Sequence, residues 1–74
     1  MEFPVYRKIN NDKSYYKIIS NLEFIEIQII GKSHFKNHFR ISHYPDKLFL
    51  LDVISGKPPY EIANQEEVER LLII

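Results

Sequence analysis

The chain has 74 residues, 45% of them hydrophobic and 14% aromatic, with ten Lys and Arg against ten Asp and Glu and no cysteine. This composition is too apolar for a disordered segment, offers no disulfide framework or cysteine-based zinc site, and gives no overall field to attract nucleic acid or an anionic membrane. One small domain over residues 1–74 is expected, near the lower size at which a core suffices without a metal, a disulfide or a partner.

Charge is nevertheless segregated. Residues 32–47 carry Lys32, Lys36, Arg40 and Lys47 against Asp46 alone, and residues 61–69 carry Glu61, Glu66, Glu67 and Glu69 without a base. The uncharged apolar runs are only a few residues long, too short for a transmembrane span, and no signal peptide is recognisable. A cytoplasmic address is the default expectation.

In chain order, Phe3, Val5 and Ile9 alternate with Tyr6 and Lys8 as in a strand, with Pro4 near its end. Asn10-Asn11-Asp12-Lys13 is a turn signal, because Asn and Asp tolerate left-handed backbone and bond their own main chain. Pairing across it sets Val5 opposite Ile18 and Arg7 opposite Tyr16. Phe3, Val5, Ile9, Tyr16 and Ile18 then share a core face.

The strongest periodic signal runs from Phe24 to Tyr44. Ile25, Ile27 and Ile29 alternate with Glu26 and Gln28, and Phe35, Phe39 and Ile41 with His34, Lys36, His38 and Arg40. Two strands joined at Gly31-Lys32-Ser33 follow. A three-residue loop would set Ile29 opposite Phe35 and Ile25 opposite Phe39, uniting isoleucines and phenylalanines on one greasy face. Gln28 would then lie by Lys36 and Glu26 by His38. A two-residue loop would put the isoleucines beside Lys36 and His38 instead.

Ser20 and Glu23 also offer a helix start, but the period-two isoleucines behind them favour strand. Pro45-Asp46 suggests a type I turn. Lys47 to Ile54, apolar on both faces except at Asp52, reads as a strand buried on both sides; the alternative is a short helix capped by Asp46 and stopped by Gly56. Ser55 to Pro59 is a loop and Tyr60 to Ile62 a short strand. Asn64 as N-cap, Glu67 completing a capping box, and Val68, Leu71 and Leu72 at helical spacing predict a C-terminal helix from about Gln65. Leu71 to Ile74 should dock on the sheet or bury against a second chain. The expected class is α+β: an antiparallel meander sheet of five or six strands with one C-terminal helix packed on one face.

For function, the row Lys32, His34, Lys36, His38 and Arg40 is the candidate binding surface, since alternate strand residues stack cations on one face. Cross-strand ion pairs are the ordinary explanation for such a row. A metal site is not expected. His34 and His38 lie about 13 Å apart at a strand rise of ~3.3 Å per residue, and His43 points the other way. There is no P-loop, no Gly-x-Ser-x-Gly and no His-Glu-x-x-His, so neither a catalytic residue nor a cofactor is assigned and an enzyme is not expected. Asp52 must face water or find a partner such as Arg7 or Arg40. The tyrosines suit half-buried sheet positions, or an aromatic patch if several share an uncovered face.

Glu2-Phe3-Pro4-Val5-Tyr6-Arg7-Lys8, Ser14-Tyr15-Tyr16-Lys17-Ile18 and Glu26-Ile27-Gln28 resemble small uncharacterised proteins of Bacteroidetes-type bacteria. That resemblance implies no activity and carries over no functional residue. The expectation is a non-enzymatic protein-interaction module that meets another protein or, as a homodimer, a copy of itself, with weak nucleic-acid or anion binding through the basic strand face as the alternative.

Overall fold

The computed structural model describes residues 2–9 and 11–73. Its elements are β1 (Val5–Ile9), β2 (Ser14–Ser20), β3 (Glu23–Ile30), β4 (Ser33–Arg40), α1 (Tyr44–Ser55), β5 (Tyr60–Ile62) and α2 (Gln65–Leu72). The strands form one antiparallel sheet in the order β4-β3-β2-β1-β5. Four strands therefore run as a meander, and the fifth returns to the far side of β1.

The first hairpin has the register its alternation implies, with Val5 opposite Ile18 and Arg7 opposite Tyr16. Asp12 takes the left-handed conformation of the turn (φ 57°), and Lys13 N–H donates to Asn11 Oδ1 at 2.9 Å; Asn10 lies outside the described residues. Val5, Tyr16 and Ile18 are buried with Ile9 packed against them, but Phe3 precedes β1 and is exposed.

Both faces of the sheet are covered, where a single helix on one face is expected from the sequence. Residues 47–54 belong to helix α1, not to a strand, and Pro45 and Asp46 sit in its first turn rather than in a type I turn. Proline fits there because the N–H it lacks has no intrahelical acceptor. Gly56 ends the helix in the left-handed conformation (φ 73°), its N–H reaching the Val53 carbonyl. Leu50, Val53 and Ile54 of α1 pack on Val5, Tyr16, Ile18 and Phe24. On the opposite face Val68 of α2 packs with Tyr6, Tyr15 and Ile27, flanked by Leu71 and Leu72. Docking of this C-terminal stretch thus holds for the two leucines, while Ile73 is exposed and Ile74 lies outside the described residues.

The second hairpin departs from the three-residue loop. Ile30 pairs with Ser33, so the turn is the two residues Gly31 and Lys32, and Gly31 has φ 60°. Glycine at the first position of a two-residue loop, with positive φ there alone, is the type II′ arrangement whose twist suits a hairpin. The register then sets Ile29 opposite His34, Ile27 opposite Lys36, Ile25 opposite His38 and Phe24 opposite Phe39. Isoleucines and phenylalanines lie on opposite faces. Each apolar row has its own helix side to turn toward, so the two need not share an interior.

Tyrosine hydroxyls and strand cations fasten the helices. Tyr6 OH donates to Glu69 of α2, whose carboxylate also meets Lys17 Nζ at 2.7 Å. Asn64 caps α2, its side chain accepting from Glu67 N–H at 3.0 Å.

Candidate interaction surface

β4 is the edge of the sheet next to β3 only, and seven of its eight residues are exposed. A two-residue hairpin closes on a hydrogen-bonded pair, and such pairs alternate along an antiparallel ladder. Ser33, Phe35, Asn37 and Phe39 therefore direct their backbone groups at β3. The N–H and C=O groups of His34, His38 and Arg40 point to the open side. Side chains alternate in the same rhythm: Phe35 and Phe39 stand on the α1 side, and His34, Lys36, His38 and Arg40 on the α2 side.

On the α1 side the helix lies nearest β1 and β5 and reaches β3 at Phe24, leaving much of the β4 border exposed. There Phe24, Phe39, Phe49 and Ile41 line a cleft of about 360 Å³ together with Glu26, Arg40 and Asp46. The Phe24 and Phe39 rings stack at 5.0 Å between centroids, and Phe49 closes the corner 6.0 Å from Phe24. Phe35 and Phe39 keep 49% and 42% of their surface in water. Burial and the Glu26 carboxylate, which accepts its hydrogen bond, push the Tyr16 phenol well above its usual range, so this hydroxyl stays a donor. Outside the cleft, Tyr44, Leu48 and Leu51 form an exposed stripe at i, i+4, i+7 along α1.

The basic row is real but partly engaged. His38 Nε2 meets the Glu23 carboxylate, which also lies 3.9 Å from Arg40. Lys36 Nζ donates to the Leu72 carbonyl at 2.8 Å, placing a cation at the negative end of α2. Lys32 occupies the exposed turn and His34 is half-buried beside Ile29. Glu26 and Gln28, the acceptors expected for His38 and Lys36, lie on the other face; Glu23 is the acid the register supplies. Asp52 faces water 4.0 Å from Lys57 rather than pairing with Arg7 or Arg40, and His43 is the exposed N-cap of α1. The tyrosines do not form the uncovered patch: Tyr6 and Tyr15 lie under α2, Tyr16 and Tyr60 beside α1, and only Tyr44 is well exposed.

The aromatic cleft and the outer stripe of α1 are what sequence reasoning missed. The spacing of Tyr44, Leu48 and Leu51 around Pro45 was the available signal. No helix among the described residues is long and apolar enough to cross a membrane. No protein-family model matches the chain, and no curated protein or solved structure is detectably similar to it.

Proposed function

We propose that this chain is a protein-interaction module, not an enzyme, in which a partner's main chain adds to the open edge of β4 while its side chains enter the neighbouring aromatic cleft. The observation that carries the reading is the coincidence, on one border of the sheet, of an eight-residue edge strand and half-exposed phenylalanines beside a cleft. Strand addition draws affinity from main-chain bonds and specificity from side-chain pockets, and this border supplies both. A long edge bearing apolar side chains is otherwise a liability that folds usually blunt. The partner is another protein or a second copy of this chain.

Weak nucleic-acid or anion binding by the basic row has less support, because Lys36 already holds the Leu72 carbonyl and Glu23 already meets His38. A phosphate contact would weaken steeply with salt, and an apolar contact would not.

A panel of extended eight-residue peptides, titrated into isotopically labelled protein and followed by amide chemical shifts, tests the proposal. Binders should move β4 and the start of α1, and His38→Pro should abolish the effect, because it removes an outward N–H without costing a bond to β3. Binding that leaves β4 unmoved, or that survives His38→Pro in a variant with an otherwise native spectrum, would overturn it.

A further inference from the structure

The aromatic cleft also carries charge of one sign. Besides Phe24, Phe39 and Phe49 it is lined by Glu26 of β3, Asp46 in the first turn of α1, and Arg40. Arg40 faces Glu23 across the β3–β4 ladder, with Nη2 3.9 Å from its carboxylate, so the guanidinium is turned to the α2 side and away from the cleft. Among the described residues neither Glu26 nor Asp46 takes part in an ion pair. Glu26 accepts the Tyr16 hydroxyl, and a neutral donor leaves its charge in place. The start of α1 offers Asp46 only the partial positive charge of a helix end. Two carboxylates thus stand beside three phenylalanine rings, whose faces are themselves electron-rich. An organic cation is attracted by both.

Resting on the edge-strand reading above, we infer that the segment accepted by β4 places a lysine or arginine side chain in this cleft, its stem over Phe39 and its cationic head beside Glu26 and Asp46. A strand added beyond β4 lies about 10 Å from β3, two spacings of ~4.8 Å, so a short cationic side chain would stop over Phe39. A long stem is also apolar, and it covers ring surface that Phe39 and Phe49 leave in water. A second β4 does not supply this group. Facing residues of an antiparallel pair share a side, and the α1-side row Ser33, Phe35, Asn37 and Phe39 holds no cation. The occupant is therefore an extended segment of a different protein.

Three eight-residue peptides of alternating Thr and Val discriminate, one Val being replaced by Lys, by norleucine or by Glu. Norleucine has the lysine stem without its charge, so a purely apolar cleft would prefer it. The Lys peptide should instead bind, at the β4 and α1 amides, at least about fivefold more tightly than the norleucine peptide, with the Glu peptide weakest. Raising the salt should narrow the gap. Glu26→Gln keeps an acceptor for Tyr16 and Asp46 is exposed, so the double variant with Asp46→Asn should fold and erase the preference. If the double variant loses the native spectrum, Asp46→Asn alone should shrink the preference, and an unchanged one overturns the inference. Equal or stronger binding of the norleucine peptide, or a lysine preference that survives the double variant, overturns it and leaves the edge reading standing. Failure of all three peptides to move β4 overturns both. A concentration-dependent dimer whose shifts map to β4 also overturns it, by making the second copy the occupant.

Discussion

The Arg7 guanidinium donates to the Ile54 carbonyl through two nitrogens, at 3.1 and 2.7 Å. Ile54 lies in the last turn of α1, which has no basic residue of its own, so a cation from β1 supplies what that negative helix end lacks. A third bond runs to the Tyr6 carbonyl at 2.8 Å. Arg7→Ala should cost about 1.5–3 kcal/mol, the range for hydrogen bonds to a charged group, read as a lower urea midpoint at unchanged slope. Arg7→Lys should recover only part of this, because a single ammonium does not reproduce the two-pronged contact.

Leu50 and Leu51 are neighbours with opposite fates. Leu50 is 1% exposed under the sheet and Leu51 55% exposed on the outer stripe. Leu50→Ala should destabilise by about 2–5 kcal/mol, whereas Leu51→Ala should stay within about 0.5 kcal/mol. Chemical denaturation of both variants checks the pair, and similar losses would show that the outer stripe is covered.

That contrast also explains why α1 was hard to read. With Leu50, Val53 and Ile54 inside and Tyr44, Leu48 and Leu51 outside, apolar residues surround the helix and leave no polar face to reveal its period. Only Pro45, Asp46 and Gly56 marked its ends. The first hairpin and α2 were legible because each carries local instructions: turn residues before Lys13, a capping box at Asn64 and Glu67. The second hairpin misled through its pattern. Alternation says that two rows differ, not which row meets which helix, and a sheet covered on both sides is content with apolar residues on either. The turn chemistry of Gly31 was the better guide to register. The cleft, built from β3, β4 and α1 together, had no signature along the chain.

Asn64→Ala removes the cap of α2, and a loss of roughly 1 kcal/mol is expected. Hydrogen exchange should quicken in the first turn of α2 and leave α1 unchanged. Equal quickening in both helices would mean that they open as one unit.

Two limbs of a stability–pH curve follow from the α2 interface. Burial, then the Glu69 carboxylate, raises the Tyr6 phenol from its ordinary 10.0 to about 12; burial and Glu67 do the same for Tyr15. A raised folded value means that the unfolded chain ionises first. The stabilisation is complete below pH 10.0 and lost as pH climbs toward about 12. Glu69 has the opposite sign: hydrogen bonds from Lys17 and Tyr6 hold its carboxyl below the ordinary range. Its contribution is present above that range and fades as pH falls through the lowered value. Thermal melts across pH should show both limbs. Tyr15→Phe should flatten the alkaline one, and an unchanged alkaline limb would count against the assignment.

The link between β3 and β4 is two residues long, and that brevity makes its length a coded quantity. Surface connections ordinarily absorb an extra residue at little expense, but one inserted after Gly31 would turn β4 over about its own axis. The rings of Phe35 and Phe39 would then look toward α2, and Lys36 would leave the Leu72 carbonyl for the mouth of the aromatic cleft. Any related chain that keeps these side chains must therefore keep the count between Ile30 and Ser33, even where the identity of Lys32 drifts.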